Sequence, residues 1–208
     1  MDLRDTPEEA AFRAEVRAWL EANIPTELTG PRSGEAEYEQ AWRAWSRKLY
    51  DAGYVGLTWP KEYGGGGLPH TFQGIYLEEA ARIAAPDHIG VIGLGMAGPT
   101  IIAWGSDEQK SRYLAPLLAG DEVWCQGFSE PGSGSDLAGA RTAAVLDGDE
   151  WVVNGQKVWS SWAHIADWCI LVVRSDPEAE KHRGGSGGGE VRSAAWLREA
   201  LAPHLVAG

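Results

Sequence analysis

The sequence predicts an α+β, multi-domain chain in which an all-helical half precedes a half built from strands and turns. Through residues 1–120, apolar side chains recur at helical spacing behind recognisable helix-start signals. Past Gly120 the pattern changes to short alternating runs separated by glycine-containing turns. From Gly184 a glycine-rich stretch separates a last short apolar segment.

The helices follow in order. Thr6, Pro7 and Glu9 form a capping box with proline at the first helical position. Behind it Phe12, Val16, Trp19, Leu20 and Ile24 share one face until Pro25 stops the helix. A second helix carries Tyr38, Trp42, Trp45 and Leu49 on one face and ends at Gly53. Residues 72–83 predict a third, and residues 89–104 a fourth that tolerates its glycines. Ser106 with Gln109 opens a fifth, closed by Gly120.

In the second half, residues 123–129 alternate like a strand, and residues 141–147 and 150–154 flank Gly148 as a hairpin. Asn154-Gly155 predicts a further turn into a strand over residues 156–161, and "DWCILVVR", residues 167–174, predicts a buried strand. "GGSGGG", residues 184–189, has the composition of a flexible linker. Val191, Leu197, Leu201 and Leu205 then predict one amphipathic helix, interrupted by Pro203. The expected divisions are 1–120, 121–183 and 184–208.

Bulk properties narrow the function. With 208 residues, 44% of them apolar, the chain has enough material for a real core. A net charge of -12 argues against nucleic acid and against an anionic membrane surface, since neither finds a basic stripe. The two cysteines, Cys125 and Cys169, have no metal or redox spacing and fit a reducing cytosol. No apolar run is long enough to cross a bilayer and the start has no signal-peptide pattern, so a cytoplasmic protein is expected.

Several motif matches carry little. Gly93, Gly95 and Gly98 satisfy G-x-G-x-x-G, but no strand leads into them, and close helix packing accounts for them better. The G-x-S-x-G match at residues 184–188 sits in linker composition that cannot hold a strained nucleophile turn. "GGGG", residues 64–67, lacks the Lys-Ser/Thr of a phosphate loop and reads as a surface connection. The five histidines show no ligand spacing, so each reads as a surface or capping residue and no metal site is expected. Glu78-Glu79 reads as a solvated helix face.

The stretch "WCQGFSEPGSGSD", residues 124–136, is different, because a strand-like run ends in Ser-Glu-Pro and then in residues no larger than serine. Gly132, Ser133, Gly134 and Ser135 would expose successive backbone N–H groups, an anion-binding concavity. Later, Trp159-Ser160-Ser161 sets an indole beside two hydroxyls, a combination suited to a large flat ring with polar edges. A tight loop on a β surface would account for the residue types equally well.

The segment from Gln126 to Asp136 resembles the flavin-binding segment of the acyl-CoA dehydrogenase family. "NGQKVWSS", residues 154–161, is similar to the family's second flavin segment, "ADWCILVVRSDP" to the strand after it, and "WPKEYGG", residues 59–65, to a loop of its helical domain. The resemblance covers residues 1 to about 183 in the family's order. It implies an N-terminal all-α domain followed by a partial middle β-barrel domain, with FAD as cofactor. Gln126, Phe128, Ser129, Gly134, Ser135, Trp159, Ser160 and Ser161 would line the flavin, and Ser135 would also touch the acyl-CoA substrate.

The implied reaction is α,β-desaturation of an acyl thioester in lipid catabolism, with an electron-transfer acceptor and a homo- or hetero-oligomeric assembly. Glu130 and Asp136 would shape the backbone. The family's catalytic base lies in a C-terminal half that this sequence does not match, so no catalytic residue is assigned. A truncation or frame-shift, an engineered linker, or a second chain that completes the site would each account for this, and the chain alone is expected to be inactive. Trp162 departs from the small residue usual in the family. Two alternatives keep the fold: a non-catalytic partner subunit of a hetero-oligomeric dehydrogenase, and a flavin-dependent oxidase or monooxygenase.

Overall fold

The structure, a computed structural model, describes residues 4–29, 34–148 and 150–175, together with the backbone of Ala195–Trp196. The predicted capping box starts α1, Pro7–Asn23: Thr6 Oγ1 accepts from Glu9 N at 3.2 Å, and Glu9 returns a carboxylate oxygen to Thr6 N at 2.8 Å. A single helical turn, α2 (Thr26–Thr29), follows Pro25, and α3 runs over Glu35–Asp51. Next come α4, His70–Arg82, and α5, Gly98–Trp104. Last is α6, Asp107–Ala119, opened by the second capping box at Ser106 and Gln109 and closed by Gly120 in the left-handed region.

The bundle closes on the apolar faces that the spacing predicts for α1 and α3: Val16, Leu20, Trp45 and Leu49 are buried in one cluster, which Leu114 and Leu117 of α6 join. Buried indoles need a partner for their N–H. Trp42 Nε1 donates to Asp87 O at 2.6 Å and Trp45 Nε1 to Pro86 O at 2.7 Å, so α3 holds down the turn after α4.

The predicted fourth helix departs from regular geometry: Gly93–Ala97 form a π turn that feeds α5. A Cβ on Gly93 would lie 3.0 Å from Leu117 Cγ, and one on Gly98 would overlap the Trp59 indole, whereas one on Gly95 would meet nothing within 4 Å. Gly93 and Gly98 serve the close packing expected of these glycines, whereas Gly95 does not. Gly98→Ala is therefore expected to cost about 2 kcal/mol through overpacking, while Gly95→Ala is neutral or stabilising. Urea melts of the two variants check this; equal midpoints would contradict it.

Two sequence readings are corrected here. Glu79 is not on a solvated face: its side chain is 3% exposed and receives Arg13, Arg17 and Arg82, while Glu78 beside it stays exposed. Helix α4 turns Glu79 toward α1, where the arginines compensate its burial. His88 is buried rather than superficial, with Nδ1 accepting from Gly90 N at 2.9 Å. Burial pushes its pKa down to about 4. Gly64–Gly67 form the expected surface connection, with Gly64 and Gly67 exposed, and it is tied down. Gly65, Gly66 and Gly67 donate backbone N–H groups to Pro60, Gly56 and Trp59, and a Cβ on Gly65 would strike the Trp59 backbone.

In the second half, β1 (Trp124–Gly127) pairs in parallel with β4 (Trp168–Leu171), placing Cys125 opposite Cys169. The hairpin of β2 (Ala143–Asp147) and β3 (Glu150–Asn154) forms where Gly148 predicted it, with Val145 opposite Val152. Ala144 N donates to Arg174 O and Arg174 N to Thr142 O, tying the hairpin base to the end of the buried strand.

No strand forms over residues 156–161. Gly155 is pressed against Thr142, and the Lys157 side chain is drawn inward, so the chain passes under the β1 loop instead of doubling back on β3. In the tail, Ala195–Trp196 form a short strand, β5, antiparallel to β4, inside the stretch predicted as helix. The edge of β4 opposite β1 offers unpaired backbone groups, and the extended dipeptide satisfies them. The remainder of residues 184–208 lies outside the described residues.

Among the described residues, no helix is long and apolar enough to cross a membrane, and no three His, Cys, Asp or Glu side chains converge as metal ligands.

Candidate functional site

Alternation along β1 sets the site. Trp124 belongs to the cluster that includes the helices, and Phe128 packs against it, while Cys125 joins Cys169 and Leu171 on the opposite face. By the same alternation Gln126 shares the face of Trp124 and Phe128, directed toward the helical half. Ser129 ends this run half-buried, and its carbonyl accepts Val158 N at 2.9 Å. That bond is one of those that bring the two predicted segments, residues 126–135 and 159–161, together.

Below them lies a buried polar knot. The Glu130 carboxylate accepts Arg141 N at 2.7 Å, Thr142 N at 2.8 Å, Thr142 Oγ1 at 2.6 Å and Lys157 Nζ at 2.9 Å. Lys157 Nζ also donates to Phe128 O at 3.0 Å. Burial pushes the Glu130 pKa up, but the Thr142 hydroxyl, the two backbone N–H groups and Lys157 outweigh it and hold the carboxyl at about 2. Lys157 was missed from sequence. Its signal was faint: a lysine beside Val158, two residues after the Asn154-Gly155 pair.

The loop after Pro131 differs from the concavity predicted. Ser133 N donates to Glu130 O and Glu130 N to Ser133 O, closing a small turn, while Ser133 Oγ donates to Asp136 O. One of the N–H groups expected to face a ligand is therefore spent within the loop. Gly134 and Ser135 stand exposed beyond it. An open cleft of about 700 Å³ borders this loop, lined by Pro131, Gly132, Asp136, Arg141, Gln156 and Arg174. It touches neither Ser129 nor Trp159–Ser161.

The second segment is strained. Trp159 and Trp162 have φ of +60° and +68°, values costly for bulky side chains. Ser161 N donates to Trp159 O, Ala163 N to Ser160 O and Ile165 N to Trp162 O, so short turns follow one another. Trp162 stands edge-on against Trp42 of α3, with ring centroids 4.7 Å apart, and Arg43 Nη2 donates to Ile165 O at 3.2 Å. The helical half thus braces this turn. Trp159 itself is 82% exposed, and beside it Ser160 Oγ is buried with no hydrogen-bond partner. An open indole next to an unsatisfied buried hydroxyl fits a flat, polar-edged group such as a flavin.

A helical bundle continued by a sheet whose first strand ends in Ser-Glu-Pro, braced by a Trp-Ser-Ser turn, places the chain in a class of two-domain helix-plus-sheet proteins. Residues 6–121 match the N-terminal domain of acyl-CoA dehydrogenases and residues 125–187 the middle domain. The chain belongs to the acyl-CoA dehydrogenase family.

It is 45% identical over 179 residues to the acyl-CoA dehydrogenase IpdE1 of Mycobacterium tuberculosis, covering 83% of this chain and 46% of that protein. The chain thus spans about half the length of the curated relatives it matches. It also superposes on the ChsE4-ChsE5 complex of Mycobacterium tuberculosis with a TM-score of 0.76 at 40% identity, covering 89% of this chain and 46% of that one. A glutaryl-CoA dehydrogenase of Mycobacterium smegmatis in complex with FADH2 is similar at a TM-score of 0.66 and 25% identity, covering 83% of this chain and 44% of that one.

Proposed function

We propose that this chain supplies one wall of the FAD site of an acyl-CoA dehydrogenase that desaturates an acyl-CoA thioester in lipid catabolism. The observation that carries the reading is the unpartnered, buried Ser160 hydroxyl beside the exposed Trp159 indole. Family membership and the FADH2 complex of a similar structure support it. Gln126, Phe128, Ser129 and Gly134 would hold the ring from the β1 side, and Trp159, Ser160 and Ser161 from the other segment. Ser135 would meet both flavin and acyl-CoA. Held by these residues, FAD would supply the hydride acceptor for such a desaturation, with a separate protein as the expected electron acceptor.

The residues themselves position and do not react. Val158 N and Lys157 Nζ fix the carbonyls of Ser129 and Phe128, so the Ser129 hydroxyl leaves the sheet at a set angle. Trp42 bears on Trp162, which holds the Trp159–Ser161 turn. We place the working divisions of the chain at 120/121 and 183/184. A second reading is favoured by the ChsE4-ChsE5 neighbour, a complex of two proteins: this chain would pair with a different subunit to complete its site.

The test is FAD titration of the ¹⁵N-labelled chain. The Trp159 ring is so open that much of a bound flavin stays wet, so a Kd on the order of 10 μM or weaker is expected. Shifts should be confined to the amides of residues 126–135 and 158–162, and the flavin should be lost on gel filtration. Absence of shifts at these amides at millimolar FAD would overturn the assignment, and flavin retained through gel filtration would overturn the expected weakness.

A further inference from the structure

We infer that Glu130 and Lys157 act together as positioning residues for the flavin, a buried ion pair that locks the two flavin-facing segments to one another. The inference rests on the FAD reading above and goes beyond it, because neither side chain belongs to the lining residues.

The geometry is specific. Glu130 follows Ser129 directly, and Lys157 stands two residues before Trp159. Their charged ends meet at 2.9 Å, with side chains 8% and 4% exposed. Lys157 spends a second N–H on Phe128 O, and the next residue, Val158, donates its backbone N–H to Ser129 O. Three consecutive residues of the first segment are thereby held by two consecutive residues of the second.

The sequence makes room for this arrangement. Lys157 Cγ lies 3.4 Å from where a Cβ on Gly127 would stand, so its stem crosses β1 at a residue that has no side chain. Gly155 allows close contact with Thr142, whose hydroxyl and N–H both reach Glu130. Two glycines and a threonine serve one ion pair.

A buried pair of this kind is a poor source of net stability, since desolvation offsets most of the attraction. It is, however, a strong source of geometric uniqueness, because each partner left alone would be an uncompensated buried charge. The pair here is spent on holding the carbonyls of Phe128 and Ser129 in place. That separates positioning from stability and makes the two measurable apart.

Three variants of the full chain test it: Lys157→Met, Glu130→Gln and the double variant. In the flavin-free chain, amide exchange at Val158, Arg141 and Thr142 is expected to accelerate at least about tenfold in both single variants. With FAD added, uptake should weaken about tenfold and the resolved structure of the visible flavin band should blur. In the double variant no unpaired charge remains, so the melting temperature should recover toward that of the unaltered chain. The flavin band and affinity should stay impaired, because Phe128 O still lacks its donor.

A double variant that recovers both stability and the flavin spectrum would show a merely structural pair and overturn the inference. So would single variants whose Val158 exchange matches the unaltered chain, whatever happens to flavin. If exchange responds but the unaltered chain shows no FAD-dependent shifts, it is the FAD assignment that falls, and the positioning claim falls with it as a statement about flavin.

Discussion

Anaerobic mixing of the FAD-loaded chain of 208 residues with acyl-CoA thioesters is expected to leave the visible flavin band unbleached. Removing a proton α to a thioester needs a free carboxylate of suitable basicity within hydrogen-bond reach. The described acids around the candidate site are engaged elsewhere. Glu130 is covered by its four donors and held at about 2, too weak a base for the task. Asp167 Oδ2 accepts Val123 N at 2.9 Å, and Glu122 is held by Arg112 and the Trp168 indole. Asp136 Oδ2 sits 3.0 Å from where a Cβ on Gly139 would stand, turned toward the turn over Leu137–Gly139.

With no general base among the described residues, the chemical step is expected to lose roughly 10²–10⁴-fold. The open face at Trp159 adds to this by leaving polar contacts to a thioester exposed to water. Stopped-flow absorbance under anaerobic conditions, with a full-length relative as reference, reads the effect directly. Bleaching by this chain within about tenfold of the reference rate would sink the prediction, and loss of that bleaching in Asp136→Asn would identify the base.

What was legible in the sequence was local. Both capping boxes, the helical faces, the Gly148 hairpin and the Ser-Glu-Pro exit from β1 depend on residues a few positions apart, and the structure places them as read. What was illegible depends on distant partners. Glu79 reads as one of two adjacent helix acids, and its pairing across to α1 rests on Arg13 and Arg17, more than sixty positions away. The 156–161 segment has strand composition, but Lys157 finds Glu130 at a separation of 27 and pulls the backbone off that course. The partners that crowd Gly93 and Gly98, Leu117 and Trp59, lie well away in sequence, and no local pattern near the glycines announces them. For the candidate site, residue types pointed to Trp159–Ser161 and Ser129, whereas the support beneath them had no pattern to read.

Glu79→Leu is expected to destabilise the helical half by about 3 kcal/mol at neutral pH, the low end for breaking a buried ion pair. The carboxylate joins α1 to α4: Arg17 Nε and Nη2 both bond it at 2.8 Å, Arg13 reaches it at 3.2 Å and Arg82 at 3.1 Å. Removing it leaves three guanidiniums converging on an apolar cap. Arg17 and Arg82 are nearly half exposed and can turn to water, or to Glu21 in the case of Arg82, which limits the loss. The Arg17 hydrogen bonds lower the Glu79 pKa most. Burial opposes them, and Arg82 and Arg13 then carry it from 4.5 to about 2. The sign follows from that depression. The group contributes fully above its unfolded value of 4.5, and its contribution is lost as pH falls through about 2. The gap between unaltered chain and variant should therefore be widest at neutral pH and should shrink steadily below pH 4.5. Glu130, shifted in the same direction, weakens both chains in the same acid window and so leaves that difference intact. Urea melts at neutral pH and near pH 3 on both chains measure it, at about 3 kcal/mol narrowing toward acid. A gap below about 1 kcal/mol at neutral pH, or one that does not change with acid, would mean that the arginines hold α1 to α4 without Glu79.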